Sequence, residues 1–201
     1  MKKGYTFWAN IFLMSALMML AGTIYGQAGR ETFTGTVLSY GTGLNTRSTT
    51  RSFTLNLTGQ TSDTQAKSFL DVLQAQGQDN LLREIDGEDL GNFSVGGRVG
   101  RTINVVRESV ANGRRRIFIV FERWIQFAEL RGGHRSIDYP FGVIELSIDE
   151  RTGKGEGTYI EAAKIRWDYD NKNKQYQVEI ENFATFPAKL LGVSQRGRRA
   201  R

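Results

Sequence analysis

The chain has 201 residues and no Cys, with 27 Lys+Arg against 21 Asp+Glu and a formal net charge of +6. Without Cys there is no disulfide, thiol nucleophile, redox dithiol or thiolate zinc site, so stability has to come from packing. The positive excess sits at the two ends, in Lys2 and Lys3 and in Arg196, Arg198, Arg199 and Arg201, while residues 29–195 are formally neutral; no sequence-specific nucleic-acid binding is expected from such a body.

Residues 1–28 have the order of an export signal. Lys2 and Lys3 form a short basic start of bacterial type, Ile11 to Leu20 is an apolar run, and Gly26-Gln27-Ala28 is a small-residue exit. Cleavage is expected after Ala28, or else after Gly26. An uncleaved anchor helix over Phe7–Tyr25 is the competing reading, since that stretch is just long enough to span a bilayer when tilted. The absence of Cys at the exit removes a lipoprotein anchor. The expectation is therefore an exported protein, periplasmic or extracellular, with a single domain over 29–195 and a disordered basic tail over 196–201.

In chain order, Thr32–Ser39 alternates Phe33, Gly35 and Val37 on one side and reads as a strand, and Tyr40–Thr50 reads as a loop. Ser52–Thr58 alternates Phe53, Leu55 and Leu57 against polar residues, the mark of a strand with one buried face. The period then changes. Ser62 with Gln65 has capping-box spacing, Ala66, Phe69, Leu70 and Leu73 fall at helical intervals, and Gly77 stands at a stop. Phe69 and Leu73, four apart, share the face that would dock on the sheet. A second short helix is expected over Asp79–Ile85, closed by Asp86-Gly87-Glu88-Asp89.

Beyond Gly91 strands return: Arg98–Val106, then the Asn112-Gly113 hairpin turn, then Ile117–Phe121 as a central strand. Gly142–Asp149, Gly157–Ala163, Ile165–Tyr169 and Gln175–Ile180 follow. The fold class is α+β, mainly antiparallel β as a sandwich or barrel-like sheet, with a helical insert near residues 62–86.

No motif selects a chemistry. His134, the one histidine, alternates with Ser136 and Asp138. A triad needs His between its partners, however, and an extended segment would hold His134 and Asp138 ~13 Å apart. Asp168, Asp170 and Glu179 imitate a calcium loop, but Lys172 and Asn173 occupy a ligand position and the turn glycine. Glu122, Glu129, Asp138 and Glu145 could supply a carboxylate pair for sugar hydrolysis, with nothing in their spacing to choose one. Phe118, Phe121, Trp124 and Phe127 recur every three residues; core packing explains them better than a ligand stripe.

No cofactor and no metal site is expected. His134, Asp138 and Glu145 are the weak binding candidates. Arg196, Arg198, Arg199 and Arg201 are candidates for weak contact with an anionic envelope surface. A non-catalytic binding or cell-envelope structural module is the preferred reading. The alternative is an exported hydrolase using carboxylates or His134.

Overall fold

The computed structural model describes residues 30–40, 47–123, 135–170, 175–183 and 186–196. Among these, ten strands form one antiparallel sheet: β1 (Glu31–Ser39), β2 (Thr49–Leu57), β3 (Gly91–Val95), β4 (Arg101–Thr102), β5 (Val105–Ala111), β6 (Arg114–Glu122), β7 (Phe141–Asp149), β8 (Lys154–Asp170), β9 (Gln175–Asn182) and β10 (Ala188–Arg196). Helices α1 (Asp63–Gln76) and α2 (Gln78–Ile85) are inserted between β2 and β3. The strand order is β4-β3-β2-β1-β10-β8-β7-β6-β5, with β9 paired to β8. The class is α+β, as the sequence predicts.

The sheet is open and not a closed barrel, yet its two ends lie close together. β4 and β5 are the terminal strands of the order, and only Ile103 and Asn104 separate them in sequence. The Ile103 amide donates to Gly91 O and its carbonyl accepts from Leu90, while the Asn104 amide donates to Val120 O on β6. The buried Asn104 side chain donates to Glu88 O at 3.0 Å and accepts from the Glu122 amide at 3.1 Å. The sheet therefore curls until two residues bridge its ends, a natural result of accumulated strand twist.

The curl encloses a core built from the alternate residues of nearly every strand. Phe33, Leu55, Phe93, Ile117, Ile119, Phe121, Ile144, Leu146 and Leu190 all belong to it. Gly142 lies opposite Phe121 across β6 and β7, and an added Cβ would come within 2.3 Å of the phenyl ring. Only glycine leaves room for that ring.

A second apolar layer lies on the outer face. Phe69, Leu73, Leu81 and Ile85 of the helices pack on Val120, Phe141, Val143, Ala163 and Ile165. β6 and β7 are thus apolar on both faces, which is why Ile117–Phe121 reads as an unbroken hydrophobic run. The capping box forms as the sequence predicts: Ser62 Oγ accepts from the Gln65 amide at 3.2 Å, and Gln65 Oε1 accepts from the Ser62 amide at 3.0 Å. Gly77, at φ +81° and ψ −175°, ends α1 and begins α2.

Several expectations need correction. Arg98–Val106 is not one strand: Gly96 and Gly97 turn at positive φ, Val99 is 84 % exposed, and β4 and β5 take up either side of Ile103. Gly157–Ala163 and Ile165–Tyr169 are parts of one 17-residue strand. One expectation holds: Phe118 and Phe121 pack as core residues, on opposite sides of β6, toward the helices and the enclosed core respectively. β10 reaches Arg196, which pairs with Thr32, so the first of the four tail arginines is held in the sheet. Arg198, Arg199 and Arg201 lie outside the described residues, as do residues 1–28.

Candidate functional site

The core is closed at one end by charge. Arg115 points inward like Ile117 and Ile119 and meets Glu31 of β1 and Glu108 of β5. Its guanidinium binds Glu31 bidentately at 3.0 and 2.6 Å, and its Nε donates to Glu108 at 2.8 Å. Gln195 adds a bond to Glu31 at 3.0 Å. Burial alone would depress the Arg115 pKa; the hydrogen bonds and charges of the two carboxylates outweigh it and hold the pKa above the ordinary value. All these groups are mutually satisfied, so this is a clasp between β1 and β6 and not a reactive centre.

At the opposite end, Tyr159 leans edge-on against Phe93, with ring centroids 5.1 Å apart. Burial raises its pKa, Glu161 adds to the rise, and Arg101 and Arg123 oppose it. Burial also lowers the pKa of Arg101, against the pull of Glu122 and Tyr159. Arg123 donates to the carbonyls of Tyr139 and Ser136, each at 2.6 Å, and so anchors the 3₁₀ turn Arg135–Asp138 to the end of β6.

A third place differs in holding a buried donor with no partner among the described residues. β8 outruns β7, whose first residue, Phe141, pairs with Ala163. Past that point, among the described residues, β8 pairs only with β9, from Ala163↔Asn182 to Asp170↔Gln175. The Ala162 carbonyl accepts from Phe183, on the β9 side, so the odd residues present N–H and C=O to the other edge. There the Ile165 amide donates to Gln78 Oε1 at 3.4 Å, while Gln78 Nε2 donates to the Asp138 carbonyl at 3.0 Å. Gln78 thus stands where the next residue of β7 would have been. The Tyr169 amide is met by its neighbour Asp168, at 2.8 Å.

Between this edge and the α1–α2 junction runs an open groove of about 480 Å³, lined by Leu73, Gln74, Gln76, Gly77, Gln78, Asp79 and Lys164–Trp167. Its size is that of a small-ligand site. The Trp167 ring is offset-stacked on Tyr176, with centroids 6.4 Å apart and planes 7° from parallel, and Tyr169 meets Tyr176 edge-on at 5.0 Å. The Trp167 indole Nε1–H is buried and has no hydrogen-bond partner among the described residues. Such a donor calls for an explanation, because burying it unpaired costs ~1–3 kcal/mol.

Of the sequence-predicted binding residues, Asp138 and Glu145 are described, and the two lie apart. Asp138 is exposed at the end of the 3₁₀ turn, and only its carbonyl reaches the groove rim. Glu145 is half-buried on the outer face of β7, opposite Phe118 and Thr158, and four residues or ~13 Å along the strand from Phe141. His134, Trp124, Phe127 and Glu129 lie outside the described residues. Asp168 and Glu179 are strand residues, and Glu179 pairs with Arg166 at 2.9 Å. Among the described residues no three His, Asp or Glu side chains form a metal-binding group. Sequence reasoning passed over the groove because its walls are some 87 positions apart; the available signals were the glutamines at 74, 76 and 78 and an isolated Trp in a strand.

No protein-family model, curated protein or solved structure matches the chain.

Proposed function

We propose that this is an exported, non-catalytic module that holds a polar, chain-like ligand of the cell envelope in the groove between β8 and the α1–α2 junction. One observation carries the reading: Trp167 lines an open groove, and its buried indole N–H has no acceptor among the described residues. The groove supplies amides from three glutamines, one carboxylate, one lysine and one arginine beside Trp167, a lining suited to a ligand rich in both donors and acceptors. The signal-like order of residues 1–28 supports a site outside the cytoplasm; intact-mass measurement of exported protein should show a chain beginning at Gly29.

Co-sedimentation of residues 29–201 with purified murein sacculi tests the function. Retention is expected to fall at least fivefold in Trp167→Ala, with no soluble fragments released over hours. Equal retention of the variant would remove the groove from the account. Release of fragments, lost in Glu145→Gln or His134→Ala, would select a hydrolase instead.

A further inference from the structure

We propose that the groove takes an extended peptide, which adds to the bare edge of β8 as an extra strand. The inference rests on the groove being the ligand site and names the ligand's class. From Ile165 to Tyr169 this edge is ~13 Å long, room for a strand of four or five residues. Its two ends are already blunted by side chains, Ile165 by Gln78 and Tyr169 by Asp168. Trp167, between them, turns its backbone N–H and C=O the same way, by the alternation that sends Ala162 O to β9. The same residue carries the buried indole N–H that has no partner among the described residues. An extended peptide backbone repeats acceptor and donor at the spacing of the backbone pair, and this is the mode by which strands join free sheet edges.

The outer edge of β9 is a second free edge but has no facing wall. On the β8 side, Gly77 and Asp79 close the slot from across the groove. Charge narrows the occupant further. Lys164 and Arg166 line the β8 wall and Asp79 the helix wall; Arg166 is paired with Glu179 and Glu181, while neither Lys164 nor Asp79 forms an ion pair among the described residues. A polyanionic chain would meet Asp79, whereas a peptide of mixed charge satisfies both. The occupant is therefore an extended peptide of low net charge, with a side-chain or main-chain oxygen opposite the indole.

The probe is a library of random dodecapeptides displayed on phage and selected on residues 29–201. Enriched peptides are expected to slow hydrogen exchange of the Trp167 amide at least tenfold and to leave the Val178 amide, on the outer edge of β9, unchanged. Trp167→Pro removes that N–H on an edge where proline is tolerated, and is expected to weaken binding at least tenfold. Trp167→Phe keeps the backbone donor and is expected to lose only two- to fivefold. Hydrogen exchange on the unmodified protein decides the matter if the proline variant fails to fold. The proposal is overturned if no peptide is enriched, if binding leaves Trp167 exchange as it was, or if protection falls on Val178. Loss of sacculus retention in Trp167→Ala alongside any of these results would leave the groove as a binding site and remove only the peptide strand.

Discussion

Arg115 shows how one side chain can hold a curled sheet shut. It is 17 % exposed and faces carboxylates 27 % and 15 % exposed, so the pairs are screened far less than surface ones. Removing the guanidinium would leave two carboxylates facing each other across the core mouth. Arg115→Ala is therefore expected to cost about 3 kcal/mol in urea unfolding, and a loss below ~0.5 kcal/mol would show the clasp to be ornamental.

Tyr159 makes a different statement, about pH. Burial holds its phenol protonated above the ordinary range, so the native state resists an ionisation that the unfolded chain undergoes near pH ~10. A group whose folded pKa is raised contributes its stability in full below the unfolded value and loses it as pH rises through the folded one. Each pH unit above ~10 should then cost up to ~1.4 kcal/mol through this residue. Tyr159→Phe keeps the ring against Phe93 and removes the titration. Unfolding free energies measured at pH 8, 10 and 11 should fall less steeply in the variant, and parallel slopes would refute the assignment.

Among the elements, the helical insert was the most legible, because all its signals are local. Ser62 and Gln65 announce its start, Phe69 and Leu73 mark its face, and Gly77 its break; the structure uses each in that role. Phe69 and Leu73 are 9 % and 3 % exposed. Truncating either to Ala should cost ~2–5 kcal/mol, measured by the shift in urea midpoint at constant m-value. Gly77→Ala should cost ~1 kcal/mol or more without removing any contact, because φ +81° with extended ψ is closed to other residues. Strand limits were harder to read where alternation is interrupted. β10 was missed because Gly192, at φ +58°, shifts the register between Leu190 and Val193, and the apolar positions no longer alternate. β8 was read as two strands because its partners change along its length, from β7 and β10 to β9, while the strand itself continues. The groove depends on that change of partner, a tertiary fact that no local pattern encodes.

At the scale of the whole molecule, the first and last described strands meet. β1 lies between β2 and β10, and Thr32 pairs with Arg196. β10 in turn pairs with β8, so the last strand joins the two halves of the sheet. A chain cut after Pro187 would expose the facing edges of β1 and β8 and lose Leu190 and Val193 from the enclosed core; it is expected not to fold. A cut after Arg196 leaves every strand intact, and its melting temperature should stay within ~1 °C of the parent. For the arginines at 198, 199 and 201 we propose a tether to an anionic envelope surface. Each contributes ~1 kcal/mol near anionic lipid, so losing three should weaken retention on phosphatidylserine-containing vesicles about a hundredfold at low salt. At 1 M salt, where the Debye length falls to ~3 Å, full-length and shortened chains should be retained equally poorly. Equal retention of the two at low salt would end the tether proposal, and a shortened chain that unfolds would place the last five residues within the fold.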